Sequence, residues 1–357
     1  MGTDQQFFCG NRMDGYEERR NKVRRFQLTS DIFFCKVLED KEACQEVVRI
    51  LLGHPSLVVK DVKTCLLYTS YDDGSFQDER LIGLMQKYGL RGTFNLNTGR
   101  LREEGSEPIK DDFFGMPTPL EALKRYSKDG LEVATHGVNH PYLDKLPAHM
   151  AAAEVLEDRA YLETLFERPV TGHAYPYGTY SAAVMEVLKT CQISYARTVR
   201  STHSFTLPEN WLEWNPTCHH NDETLFALAD EFLTKLDTPF DRSPELFYLW
   251  GHSFEFDRDG NWHVIEAFAE KMGGRPSVWY CTNSEFYGYV RAFEGLVWSV
   301  DGRFVRNQSC MDVYLEANRN LSVSYTHLDV YKRQNPARIR PEREKSIRPE
   351  GLLHLKM

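Results

Sequence analysis

The residues best suited to chemistry start at Asp72-Asp73-Gly74, just after the apolar run Leu66-Leu67-Tyr68. Two adjacent carboxylates at the mouth of a strand are costly to place unless they act on something. Successive side chains on an extended chain point to opposite sides, so one Asp can hold a cation while its neighbour handles a proton. Thr135-His136-Gly137-Val138-Asn139-His140 supplies a histidine pair. Asp73 with His136 and His140 makes a set of one carboxylate and two imidazoles, suited to Zn²⁺ and also to Co²⁺, Ni²⁺ or Mn²⁺. Three protein ligands leave positions open for water and substrate, as in a catalytic rather than a structural metal site. If the chain turns helical after His136, the four-residue spacing puts both rings on one face, with Gly137 free to make the turn. Asp72 is then the candidate general base for a water acidified by the cation. Each piece has a plainer alternative. Asp-Asp-Gly is a common turn, and His-x-x-x-His is often a solvated or core pair.

Those residues need a frame that brings distant positions together. Strands are predicted at 66–70, 92–96, 132–135, 172–175, 193–198, 213–216, 246–250 and 278–281. Helices are predicted at 78–88, 119–126, 148–165, 181–189, 224–236, 262–272 and 284–294. This alternation predicts an α/β fold with a parallel sheet, either doubly wound or closed into a barrel. A barrel is favoured because Asp72-Asp73, His136, Tyr175-Pro176-Tyr177 and His252 each follow a predicted strand. The C-terminal ends of barrel strands share one rim, where active sites are built. Residues 296–315 read as an appended hairpin with Asp301-Gly302 at its turn.

The ordered set Asp72-Asp73, His136-x-x-x-His140, Pro176-Tyr177-Gly178 and Gly251-His252-Ser253 resembles the polysaccharide deacetylase family, the NodB-homology domains akin to family 4 carbohydrate esterases. The resemblance implies a distorted β/α barrel and a metal-dependent hydrolase of carbon–nitrogen bonds. Its substrate would be an acetylated carbohydrate that loses N-acetyl or, with less weight, O-acetyl groups. The backbone N–H of Tyr177 would share the oxyanion with the cation, and His252 would protonate the leaving amine. The family usually carries Arg where Ala174 stands, bracing the catalytic Asp; Arg197 or Arg200 is a substitute. The acidic partner of the histidine is not evident in Trp214-Asn215-Pro216-Thr217-Cys218-His219-His220-Asn221-Asp222. His219 and His220 there read either as substrate or metal contacts or as exposed loop residues, and Cys218 as a buried thiol. Aromatic residues Tyr175, Tyr177, Trp211, Trp214, Trp250 and Phe254 crowd the same rim and suit the apolar faces of sugar rings. Tyr175, Pro176, Trp214, His219 and His220 are the expected substrate contacts. Two other readings remain: an allantoinase-like cyclic amide hydrolase, and a metal- or glycan-binding protein without turnover.

The opening stretch, from Leu28-Thr29-Ser30-Asp31-Ile32-Phe33 through two short helices and a strand, resembles the PD-(D/E)XK nuclease family transposases. That likeness ends near Lys63, before the family's carboxylates would arrive. Thr64–Ser70 and Val323–Gln334 resemble translated sequencing-adapter sequence, as at the joins of chimeric contigs. The expected organisation is a foreign nuclease-like fragment over 1–63, a catalytic domain with its hairpin over 64–321, and a join with a disordered basic tail over 322–357. The net charge is −9, and residues 332–357 hold eight Lys/Arg against three Glu, so the body is more acidic still. That balance argues against a nucleic-acid partner. No apolar run is long enough to span a membrane. The start of the chain lacks a basic-then-apolar leader pattern, and its eight cysteines lack CxxC spacing. Both features fit reduced thiols in a cytoplasmic setting.

Overall fold

Strand β1, Cys65–Asp72, sets the architecture through its alternation. Leu67 and Tyr71 face one way, into a large cluster with Leu81, Ile82, Phe247 and Phe268. Leu66 and Tyr68 face the other way, against Tyr195, Trp214 and Tyr248. A strand buried on both faces belongs in a parallel sheet covered on both sides. The computed structural model describes residues 65–107, 114–236, 245–300, 305–311, 313–317 and 320–324. The nuclease-like fragment, the turn at Asp301-Gly302 and the basic tail beyond Ser324 lie outside the described residues.

Seven further strands join β1: β2 (Gly92–Leu96), β3 (Leu131–Thr135), β4 (Gly172–Ala174), β5 (Tyr195–Arg197), β6 (Cys218–His219), β7 (Glu245–Gly251) and β8 (Val278–Tyr280). Their order is β5-β4-β3-β2-β1-β7-β6, with β8 also on β1, and the pairings are parallel. One side of β1 pairs with β7 along most of its length. The other side is shared: Cys65–Leu67 pairs with β8, and Thr69–Asp72 with β2. This sharing distorts the barrel. The sheet edges meet through residues 214–220. Trp214 N–H donates to Ala196 O at 2.9 Å and Thr198 N–H to Trp214 O at 3.0 Å, while Thr217 N–H donates to Tyr248 O and His220 N–H to Trp250 O, both at 2.9 Å. One short segment therefore leans on β5 at its start and on β7 at its end. The result is an α/β sheet curled as a distorted barrel, the form that the resemblance implied.

The helices are α1 (Asp78–Tyr88), α2 (Pro119–Tyr126), α3 (Ala148–Phe166), α4 (Ala182–Thr190), α5 (Leu225–Leu236), α6 (Phe254–Arg258), α7 (Trp262–Met272) and α8 (Asn283–Glu294). Helices α2 and α8 begin with reciprocal capping boxes, Thr118 with Glu121 and Thr282 with Glu285, which satisfy otherwise orphaned N–H groups. Among the described residues no helix is long and apolar enough to cross a membrane.

Three expectations need correction. The strand expected at 213–216 reduces to a single bridge, Trp214 to Arg197, and the paired strand lies later, at Cys218–His219. Pro216 has no N–H to give a ladder, which interrupts pairing between the two. The short helix α6 was not anticipated. The single hairpin expected over 296–315 is β9 (Val297–Trp298) against β10 (Val305–Arg306), followed by a second pair, β11 (Val313–Ala317) and β12 (Asn320–Ser324). Strand β12 runs past the domain end expected at 321.

Candidate active site

Asp72 is the last residue of β1 and points into the barrel rim. Its Oδ1 accepts from Asn95 Nδ2 at 2.8 Å, and its Oδ2 accepts a short bond from the buried guanidinium of Arg197. Arg197 projects from β5 and lies 4.5 Å from the Trp250 ring centroid. Burial pushes the Asp72 carboxyl up, but Arg197, His136 and His252 outweigh it and hold it at about 2. The residue that braces this Asp is therefore Arg197, whereas Arg200 stands near Glu213 at 3.5 Å.

Asp73 does not continue the strand. Its φ is 72°, and Gly74 follows at the same φ, so the chain turns back immediately. Opposite facing of the two carboxylates, expected from strand alternation, does not hold. Asp72 Oδ2 and Asp73 Oδ1 both lie 4.0 Å from His136 Nε2. A Cβ at position 74 would meet Leu96 Cδ2 at 2.7 Å, so the left-handed turn also needs glycine for space.

The His136–His140 loop is not helical either. Gly137 (φ 75°) and His140 (φ 57°) are both left-handed, and the two rings meet through a folded loop at 4.6 Å between centroids. Asn97 Nδ2 donates to His136 O and Gly137 O, each at 2.7 Å. Asp158 accepts from His136 N–H at 3.0 Å and from Thr98 N–H at 2.8 Å. His136 Nδ1 donates to Ala174 O at 2.8 Å; a carbonyl can only accept, so the lone pair sits on Nε2. That Nε2 is buried without a hydrogen-bond partner and faces Asp73. Burial keeps His136 below its ordinary pKa, and burial with the neighbouring His136 brings His140 down to about 4. Both rings are thus neutral near pH 7, the form that binds metal. His140 Nε2 lies 3.7 Å from Asp73 Oδ1, and the ligand atoms of Asp73, His136 and His140 all fall within 4.8 Å of one another. An orphaned buried nitrogen, a second neutral imidazole and a carboxylate fit a divalent cation. Arg100, unforeseen from sequence, donates to Asp73 Oδ1 at 3.0 Å.

His252 follows β7 and closes the far side, with Nε2 3.9 Å from Asp72 Oδ2. Its other nitrogen, Nδ1, lies 3.5 Å from Glu255 Oε2 on α6. Burial lowers the His252 pKa, but Glu255 and then Asp72 and Asp73 raise it overall above the ordinary 6.5. The acidic side chain beside His252 Nδ1 is thus Glu255, which lies outside residues 214–222. Its signal was local: an acid three residues after a histidine, where a short helix begins.

Asp72, Asp73, His136, His140, Tyr175, Tyr177, Val199, Trp250 and His252 line one cavity of about 390 Å³. Tyr177 has φ 57°, an uncommon conformation for a residue other than glycine, and its exposed ring stacks on Tyr142 at 3.9 Å and edges His140 at 4.4 Å. Several expected substrate contacts are placed otherwise. Trp214 is 1% exposed and fills the barrel interior among Tyr68, Tyr195 and Tyr248, away from the cavity. Tyr175 borders the cavity yet is fully buried, with its hydroxyl donated to Leu212 O at 2.8 Å. Pro176 is buried at the start of a short 3₁₀ turn beside it. His219 and His220 turn toward Glu255 rather than into the cavity. Cys218 is a buried thiol, pushed up to about 12 by burial and Asp222.

Residues 60–196 match the polysaccharide deacetylase family, a stretch that includes Asp72, Asp73, His136, His140 and Tyr177 but not His252 or Glu255. No curated protein matches the chain. The fold is similar to that of a family 4 carbohydrate esterase from Streptomyces lividans solved with acetate (14% identity, TM-score 0.40, 61% of this chain and 91% of that one). It is also similar to the peptidoglycan deacetylase PdaC of Bacillus subtilis (15%, TM-score 0.42, 66% and 96%). A family 4 pseudoenzyme from Bacillus anthracis is similar too (13%, TM-score 0.38, 65% and 67%).

Proposed function

We propose that this chain is a divalent-metal-dependent hydrolase that removes N-acetyl groups, with O-acetyl groups as the lesser alternative, from a carbohydrate. The observation that carries this reading is convergence: Asp73, His136 and His140 stand as one donor set beside Asp72 and His252 in a single cavity. A bound cation, most suitably Zn²⁺, supplies a Lewis acid that makes water acidic enough to attack an amide carbonyl.

The chain's own residues do the rest. Asp72 stays ionised throughout the physiological range because Arg197 and Asn95 hold both its oxygens. It is placed to orient the attacking water and to take up its proton. The cavity-lining residue Tyr177, bent into the left-handed region, offers its backbone N–H to the developing oxyanion. His252 Nε2 faces the reacting side while Nδ1 stands 3.5 Å from Glu255, whose charge favours the protonated ring, so the ring can pass a proton to the departing amine. The exposed Tyr177–Tyr142 pair forms an aromatic surface beside His140 on which a sugar face can lie.

Arg197 favours turnover over binding alone, since the brace missing at Ala174 is supplied from the next strand. The catalytic unit is taken to begin at residue 64, so a chain lacking residues 1–63 should keep its activity. The deciding assay follows acetate released from N-acetylated chitooligosaccharides before chelation, after it, and after Zn²⁺ or Co²⁺ is restored. Release that ignores chelation, or appears only with a cyclic amide such as allantoin, would overturn the proposal.

A further inference from the structure

Behind the cavity wall, three imidazoles gather around one carboxylate oxygen. Glu255 Oε2 lies 3.0 Å from His219 Nε2, 3.1 Å from His220 Nε2 and 3.5 Å from His252 Nδ1. Hydrogen bonding accounts poorly for this crowd. His220 is fully buried, stacked on Phe256 at 4.1 Å, and neither of its ring nitrogens has a hydrogen-bond partner; Glu255 Oε2 has none either. The His220 and His252 nitrogens stand beside the oxygen without directing an N–H at it. Two imidazoles and a carboxylate whose ligand atoms crowd together without hydrogen bonds to hold them suit an ion. Four ligands about 2.0–2.1 Å from a zinc-sized ion stand roughly 3.3–3.4 Å apart, close to the spacings seen here. The ligand atoms of His219, His220 and Glu255 all lie within 4.8 Å of one another.

We propose that His219 Nε2, His220 Nε2 and Glu255 Oε2 form a second divalent-cation site, distinct from Asp73, His136 and His140, and suited to a borderline ion such as Zn²⁺ or Co²⁺. Two imidazoles and a carboxylate are the right donors for that class, and the open fourth position falls to water or to His252 Nδ1. His219 Nδ1 accepts from the exposed Asn221 N–H at 3.1 Å. Ligation through Nε2 moves the ring proton to Nδ1 and leaves that N–H to water. Gly251 belongs to the same arrangement, since a Cβ there would stand 1.9 Å from His220 Nδ1. The site has a consequence, which rests on the hydrolase reading: an ion on Glu255 takes the oxygen that pairs with His252, so cation beyond the first equivalent should slow turnover.

Calorimetric titration of the cation-free full chain with Zn²⁺ tests the site, with Co²⁺ absorption reporting coordination. The wild type should bind two equivalents, and His219→Ala and Asp73→Ala one each. Circular dichroism checks that each variant is folded, and Glu255→Gln serves as a second probe of the same loss. One equivalent in the wild type and none in Asp73→Ala overturns the second site and leaves the hydrolase reading intact. If Asp73→Ala binds as much as the wild type while His219→Ala binds less, the second site stands and the hydrolase reading loses its metal. Two equivalents unchanged by His219→Ala and by Glu255→Gln would also remove the proposed site.

Discussion

Replacing Arg197 by Gln tests what keeps Asp72 charged. The partners are 0% and 3% exposed, so water screens their attraction weakly. Burial alone would raise the Asp72 carboxyl, yet Arg197 with His136 and His252 takes it to about 2, against an ordinary 3.8. At about 1.4 kcal/mol per unit, that gap is about 2 kcal/mol of stability at neutral pH. A depressed folded pKa contributes stability that is present above the ordinary value and lost as pH falls toward 2. In Arg197→Gln the largest opponent of burial is gone, the folded pKa rises, and stability instead falls as pH rises through the carboxylate range. Leaving one buried charge unpaired should cost about 3–5 kcal/mol near neutral pH. Urea unfolding of both proteins near pH 7 and near pH 4 is the assay. The variant's deficit should shrink by about 2 kcal/mol at the lower pH, where Asp72 takes up a proton. Adding Asp72→Asn should restore part of the loss. A deficit equal at both pH values, or strictly additive double-mutant energies, would refute the assignment of Arg197 as the partner of Asp72.

Other substitutions separate the remaining roles. His136→Ala should lose bound cation and acetate release together, whereas Asp72→Asn should keep the cation and lose roughly 10²–10⁴-fold in turnover; metal analysis beside the assay distinguishes them, and cation loss in Asp72→Asn would contradict the division of labour. Activity should fall on the alkaline side as His252 loses its proton at a pKa raised above 6.5. Because Glu255 is the foremost group raising it, Glu255→Gln should move that limb to lower pH, and a pH–rate profile with an unmoved limb would remove Glu255 from the mechanism. Arg100 holds a positive charge 3.0 Å from the carboxylate oxygen of Asp73. Arg100→Gln should therefore tighten cation binding several-fold by calorimetry, and weaker binding would mean that Arg100 orients the ligand instead.

The barrel was legible from the alternation, and the convergence of Asp73, His136, His140 and His252 was legible because each follows a strand, where apolar runs break into short polar motifs. Local geometry was less so. Alternation predicted divergent carboxylates, but it holds only while the strand lasts, and the strand stops at Asp72. Helical spacing predicted the His136–His140 grip, yet left-handed residues at 137 and 140 fold the loop another way. Asn95, Asn97, Arg100 and Asp158 carry no motif; they matter only because the barrel carries them to the site. Trp214 illustrates the converse. An aromatic expected at the rim suggests a sugar platform, but a narrow barrel must fill its interior with large side chains, and that need decided its place.

The segment from Trp214 to His220 has a further bearing. The one aspartate and two histidines of the first donor set come from the loops after β1 and β3, all before residue 141. His252 and its acidic neighbour Glu255 follow β7, and among the described residues the segment from Trp214 to His220 joins that edge back to β5 as a seam, with Trp214 bonded to β5 and Thr217 and His220 to β7. A folding intermediate that has stacked β1 through β5 would thus already be able to hold an ion, yet would be chemically mute until the seam zips shut. Cation uptake and the onset of turnover should therefore appear as successive events when the chain refolds.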